Sequence, residues 1–170
     1  MESTVADDPK YLPYIIKEYT HWTLFLHKKQ NPYVGRCYAW WKKDDSQGQG
    51  ENMRPSDLSR QAVFELNQTV FDEVVDACRA LGHQVDPYGE NFLLNMAYLA
   101  NLAEHKHYMH WHFVPRFKEP LAVGKIGLLT ADHEWGQHYA KPALGEYELD
   151  EEKLRFIRLT MAKAIGGKFY

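Results

Sequence analysis

Two histidines two positions apart, His110 and His112, are the side chains here best suited to chemistry. Neutral imidazole is a competent nucleophile near neutral pH, and its attack on phosphorus gives a phosphoramidate that water can cleave. A second imidazole beside it can donate to a phosphate oxygen, in transfers where positioning and charge stabilisation do most of the work. Tyr108 stands two residues earlier and continues the series. On a strand successive side chains point to opposite faces, so Tyr108, His110 and His112 share one face and Met109, Trp111 and Phe113 the other. The second set is apolar and should face the core, and such a backing holds the polar set in place.

The rest of the chain must supply that core. The stretch from His21 to His27 alternates, with Trp22, Leu24 and Leu26 on one face, and Gly35 to Lys43 is a second aromatic-rich strand. Asn31-Pro32 marks the turn between them, and a short helix is expected over Tyr11 to Tyr19. Asp44 to Pro55 is a polar, Gly-rich loop. A long helix follows, capped by Ser56 or Ser59 and ended by Gly82, with Val63, Leu66, Val70, Val74, Ala77 and Leu81 as its apolar stripe. Asn91 to Leu99 reads as a buried strand, and Tyr108 to Val114 as another, ended by Pro115. Lys118 to Gly145 looks irregular. A last helix starts near Asp150, with the stripe Leu154, Ile157, Met161 and Ile165, and stops at Gly166-Gly167. Strand groups close in sequence favour antiparallel pairing, so the fold class is α+β.

At 170 residues the chain suits one domain, and 45% apolar content reads as globular. A net charge of −3 argues against binding long nucleic acid, though a few local donors can hold a small anion. No apolar run approaches membrane length, and the N-terminus carries no signal-peptide core, so no membrane partner and a cytoplasmic location are expected. Cys37 and Cys78 have no metal-binding spacing and are expected to be reduced.

The run His110-Trp111-His112-Phe113-Val114-Pro115-Arg116 resembles the signature of the histidine triad (HIT) family, His-φ-His-φ-His-φ-φ followed by Pro-Arg. Two further segments resemble a bacterial branch that includes diadenosine polyphosphate hydrolases. They are Gln30-Asn31-Pro32-Tyr33-Val34-Gly35-Arg36-Cys37 and Leu94-Asn95-Met96-Ala97-Tyr98-Leu99-Ala100-Asn101, and the likeness spans roughly His21 to Tyr139. It implies a HIT-like fold with an antiparallel sheet of about five strands, one long helix and a C-terminal helix. Residues 1–20 would be an N-terminal extension, 21–145 the HIT-like domain, and 146–170 a C-terminal helix packed on the same domain. It also implies a homodimer and hydrolysis or transfer at the α-phosphate of a dinucleoside polyphosphate or nucleoside phosphoramidate. His110 would be the nucleophile and His112 a phosphate-binding partner. No cofactor is implied, beyond a divalent cation that could arrive with the substrate.

By the same resemblance Asn101 and Asn95 would help hold substrate, Gln30 and Asn31 would line a nucleoside pocket, and Arg116 would neutralise phosphate. Each also has a plainer reading: a turn residue for Asn101 and for the Gln30-Asn31 pair, a buried polar group for Asn95, and a cover for the sheet edge for Arg116. Trp22, Trp40 and Trp41 could stack a base or simply pack, and Trp135 to Tyr139 could cap the site or pack across a dimer. The sequence departs from the family at Tyr108, where the first triad histidine is expected. A phenol with a pKa of ~10 stays uncharged and stabilises phosphate less than an imidazolium. About three inserted residues before the triad bring in His105 and His107. Two other functions fit the same residues: a nucleotide-binding protein that has lost turnover, and a metal site on His110 and His112, as in cupin-like barrels. The metal site lacks the nearby acid it needs, since the first one is Glu119, beyond Pro115.

Overall fold

Alternation along the aromatic-rich segments builds a sheet with two unlike faces. The computed structural model describes residues 10–42, 55–98, 102–103, 106–107, 109–137 and 147–167. The loop read over 44–55 lies outside them except for Pro55. The strands are β1 (Ile15–Glu18), β2 (Trp22–Leu26), β3 (Lys29–Asn31), β4 (Cys37–Trp41), β5 (Phe92–Tyr98), β6 (Leu102–Ala103), β7 (Lys106–His107), β8 (His110–Phe117), β9 (Leu121–Val123), β10 (Leu128–Thr130) and β11 (Tyr147–Glu148). Five form the main sheet, in the order β1-β2-β4-β8-β5, and every neighbouring pair is antiparallel. The α+β architecture with a five-stranded antiparallel sheet is therefore as expected.

One face of this sheet carries Trp22, Leu24, Leu26, Cys37, Ala39 and Phe113, all fully buried. Two helical segments cover that face and share its core cluster. The first begins at Arg60, where the Ser59 hydroxyl accepts from Ala62 N at 3.1 Å, so Ser59 rather than Ser56 is the cap. It runs as α1 (Arg60–Phe64), a π turn (Glu65–Val70) and α2 (Phe71–Ala80). Its buried stripe starts at Ala62 and continues through Leu66, Val70 and Val74, whereas Val63 is 40% exposed. Steps of four residues drift around a regular α-helix by about 40° each. The wider π turn takes up that drift and keeps the stripe on the sheet, which displaces Val63. The second segment, α3 (Glu151–Ala164), is capped by Asp150, whose Oδ1 accepts from Lys153 N at 2.9 Å. It contributes Leu154, Ile157, Met161 and Ile165 to the same core.

Several expectations change. Tyr11 to Tyr19 is not a helix: a 3-10 turn at Leu12–Tyr14 leads into β1, an edge strand paired with β2. The consecutive β-branched Ile15 and Ile16 suit a strand, and Arg158 Nη1 anchors it by donating to Ile15 O at 2.9 Å. The stretch after Lys118 is not wholly irregular, because β9 and β10 form a hairpin that buries Leu121, Val123, Leu128 and Thr130. Pro115 does not end its strand, which continues to Phe117. The ladder from β8 to β4 stops at the Phe113–Cys37 pair, so Pro115 lies beyond it, in an edge-like position with β5 on one side only.

His83 lies where the loop after α2 crosses the sheet end. Its Nε2 sits 2.6 Å from Val34 O, and its ring packs against Phe92 and Phe117 at 5.2 and 5.0 Å. Burial lowers its pKa from 6.5 to about 4, against the Val34 hydrogen bond, which raises it. An unfolded chain takes up this proton below pH 6.5, whereas the folded chain does not until about pH 4. The contribution to stability is therefore complete above pH 6.5 and lost as pH falls towards 4, by ~3 kcal/mol. Urea midpoints at pH 7 and 4.5 should fall less for His83→Gln than for the wild type. Equal falls in the two proteins would show that this histidine does not carry the effect.

Candidate active site

The register of β8 sets the site. Trp40 pairs with His110 and Tyr38 with His112 on the β4 side, and Ala97 pairs with His112 on the β5 side. Trp111 and Phe113 point the other way, into the helical layer. Trp111 packs edge-on against Trp22 at 5.3 Å and lies 4.8 Å from Tyr98, while Phe113 meets Phe71 at 6.4 Å. The back of the strand is thus fixed by ring packing, which restricts where the two imidazoles can go. Those imidazoles are neighbours on the opposite face, with ring centroids 5.0 Å apart, and each residue keeps 8% of its surface exposed.

Aromatic side chains surround them. Trp40 lies 6.1 Å from the His110 ring, and Tyr38 lies 5.8 Å from that of His112. Phe25 stacks on Tyr38 at 5.6 Å, and Tyr11 closes against Trp40 at 5.3 Å. Burial, with smaller effects from neighbouring Tyr11, Tyr14 and Cys37, pushes the Tyr38 phenol far above its ordinary range, so it stays protonated.

A third imidazole completes the row. The His27 ring is 5.8 Å from that of His112. Its Nδ1 accepts from Lys29 N at 3.0 Å, which leaves the Nε2 position for the proton of the neutral ring. Burial, and then the positive charge of Arg36, lowers its pKa from 6.5 to about 3. His27 is therefore neutral at physiological pH. It did not emerge from the sequence as a site residue, although the alternation of β2 places it on the Phe25 face, opposite Leu24 and Leu26.

The other expected site residues divide. Asn95 pairs with Val114 and shares the histidine face, half-buried. Gln30 is fully buried and its amide is committed: Nε2 donates to His27 O at 2.6 Å and to Arg36 O at 2.8 Å, and Oε1 accepts from Gly35 N at 2.8 Å. It braces the turn between β2 and β4. Gly35 takes a φ of +94° there, and an added Cβ would sit 3.1 Å from Cys78 Sγ, so the turn needs glycine. Asn31 pairs with Tyr147 in the β3–β11 ribbon. Arg116 is 3% exposed. It donates from Nε to Asp132 Oδ2 at 2.5 Å and from Nη2 to Asp132 Oδ1 at 3.2 Å, with further bonds to the Glu134 and Gln137 carbonyls. Its guanidinium holds the loop carrying Trp135. Trp22 and Trp41 join the helix-side core, and only Trp40 of the three stands beside the histidines. Tyr108, Asn101, His105 and residues 138–139 lie outside the described residues. The inserted segment pairs with itself, β6 against β7, rather than extending β8 backwards.

No protein-family model matches the sequence, and no curated protein matches it either. Among solved structures, the chain is similar to a hypothetical histidine triad nucleotide-binding protein from Sulfolobus tokodaii, with a TM-score of 0.51 over 90% of this chain and 83% of that one. The fold is HIT-like. At 16% identity the likeness concerns the fold alone. In this HIT-like frame the His-Trp-His run lies on an interior strand of the sheet, with strands paired on both sides of it. Among the described residues no group of three His, Cys, Asp or Glu is arranged to hold a metal ion, and no helix is long and apolar enough to cross a membrane.

Proposed function

We propose that this protein is a nucleotidyl hydrolase or transferase in which His110 is the nucleophile. The observation that carries the reading is the pair of adjacent imidazoles on one face of β8, backed by Trp111 and Phe113. The fold it shares with a protein described as nucleotide-binding supports the substrate class. A ring nitrogen of His110 attacks the α-phosphorus of a dinucleoside polyphosphate or nucleoside phosphoramidate. An N–P bond forms as the bond to the leaving group breaks, and the leaving group takes up a proton from solvent, which the water of the second step gives back. Water then attacks the same phosphorus, the N–P bond breaks, and the nucleotide leaves. His112 donates to a non-bridging oxygen, and neutral His27 offers a further N–H to that end of the site. Tyr108 would supply the hydroxyl donor where the first triad histidine is expected, and Asn101 and Asn95 polar contacts to the substrate. A homodimer in the cytoplasm belongs to the same proposal, as does a divalent cation carried in by the substrate.

Incubation with a panel of dinucleoside polyphosphates and nucleoside phosphoramidates should yield a protein heavier by one nucleoside monophosphate on intact mass analysis, together with free nucleotide. Nucleotide binding with neither adduct nor product from any member would favour the second reading, a binding protein without turnover. The close aromatic packing around His110 is the observation on that side.

A further inference from the structure

Neither the histidine signature nor the pair of imidazoles explains Arg36. This residue is 7% exposed and immediately precedes Cys37, which faces the core. Alternation therefore sends Arg36 to the histidine face, one step beyond Tyr38. Its backbone is held on both sides. Arg36 N donates to Tyr33 O at 2.9 Å, and Arg36 O accepts from His27 N at 3.0 Å and Gln30 Nε2 at 2.8 Å. It thus lies directly across from His27, whose ring is 5.8 Å from that of His112. The guanidinium's charge is felt at this spot, because it helps keep the proton off His27.

We propose that Arg36 is the cation that binds substrate phosphate in this site and makes it select charged nucleotides over nucleosides. This deepens the proposed function and rests on it. A histidine row can place and receive an oxyanion, but His27 is held neutral and brings no charge of its own. A guanidinium at the end of the row adds a permanent positive charge and a planar fork of donors that matches phosphate oxygens. The buried Gln30 bridge and the Gly35 turn keep the Arg36 backbone from drifting, so its reach is constant. Arg36 would therefore set which ligands are held, while His110 carries out the bond exchange.

The experiment compares AMP with adenosine, two ligands that differ by the phosphate, using calorimetry on the full chain. Wild type should bind AMP more tightly than adenosine. Arg36→Gln and Arg36→Met should each lose about tenfold or more in AMP affinity, with adenosine affinity unchanged. Arg36→Lys, which keeps the charge but not the fork, should recover part of the loss. The His27 ring, followed by NMR, should titrate at higher pH in both charge-free variants and close to wild type in Arg36→Lys, which separates loss of the charge from loss of the burial that also lowers this pKa. The inference is overturned if a folded charge-free variant binds AMP as wild type does, or if AMP and adenosine weaken equally. Wild type that binds neither ligand would instead defeat the functional reading and this inference with it. If both charge-free variants fail to fold, unchanged AMP affinity in Arg36→Lys overturns the fork.

Discussion

His110→Ala is expected to abolish turnover while the fold survives. On the proposed mechanism the variant removes the atom that would bond to phosphorus, and no neighbour among the described residues stands in the same place. His112 lies one full step along the strand with its ring centroid 5.0 Å away, and an in-line attack tolerates little misplacement. The loss should reach at least about a thousandfold in kcat, with the nucleotide adduct absent from the intact mass. The cost to stability should be small, on the order of 1–2 kcal/mol, because the ring lies on the face away from the core helices. His112→Ala should behave differently. It removes a donor rather than the nucleophile, so a rate loss of about a hundredfold with the adduct still forming is expected. Far-ultraviolet circular dichroism and a melting curve separate either result from unfolding. Wild-type turnover by the His110 variant would remove the basis of the mechanism.

The second large effect is on stability. Asp132→Ala should lower the melting temperature by about 10 °C, from a loss of roughly 3–5 kcal/mol. The Arg116 and Asp132 side chains are 4% and 0% exposed, and the guanidinium lies 5.6 Å from the Tyr33 ring. Deleting the carboxylate strands a charge that water cannot reach. Two carbonyls, Glu134 and Gln137, would still accept from it, but they carry no opposing charge. The double variant Arg116→Met with Asp132→Ala should be more stable than Asp132→Ala alone, since it removes the stranded charge as well. A melting temperature for Asp132→Ala within about 2 °C of wild type would mean that the pair is solvated and contributes little.

What could be read from residue order alone was local. Period-two alternation located the two-faced strand, with His110 and His112 on one side and Trp111 and Phe113 on the other. Caps and stripes located both helical segments. The partners of polar side chains were a different matter. Arg116 lies 16 residues from Asp132, and nothing in the spacing shows that the two meet. Gln30 can be read from its sequence as a pocket residue or as a turn residue, and the three backbone groups that hold its amide, brought together by the β2–β4 turn, are what the spacing does not show. His27 and Arg36 sit just past strand ends, and their meeting with each other, and that of His27 with His112, emerged only once the strands were paired. The β9–β10 hairpin was missed because runs of three residues are too short to show a period. The π turn was hidden because its stripe still reads as helical, with Ala62 in the place given to Val63.

The pleat of β8 divides the demands on this chain by parity. On the proposed function, even-numbered positions 110 and 112 answer to the ligand, while odd-numbered positions 111 and 113 face the interior. Drift at odd codons is felt first as a change in how much folded protein accumulates, and drift at even codons as a change in what that protein does. A lineage or an engineer could therefore retune the histidine face and harden its scaffold on alternate letters of one short word, with little crosstalk between the two.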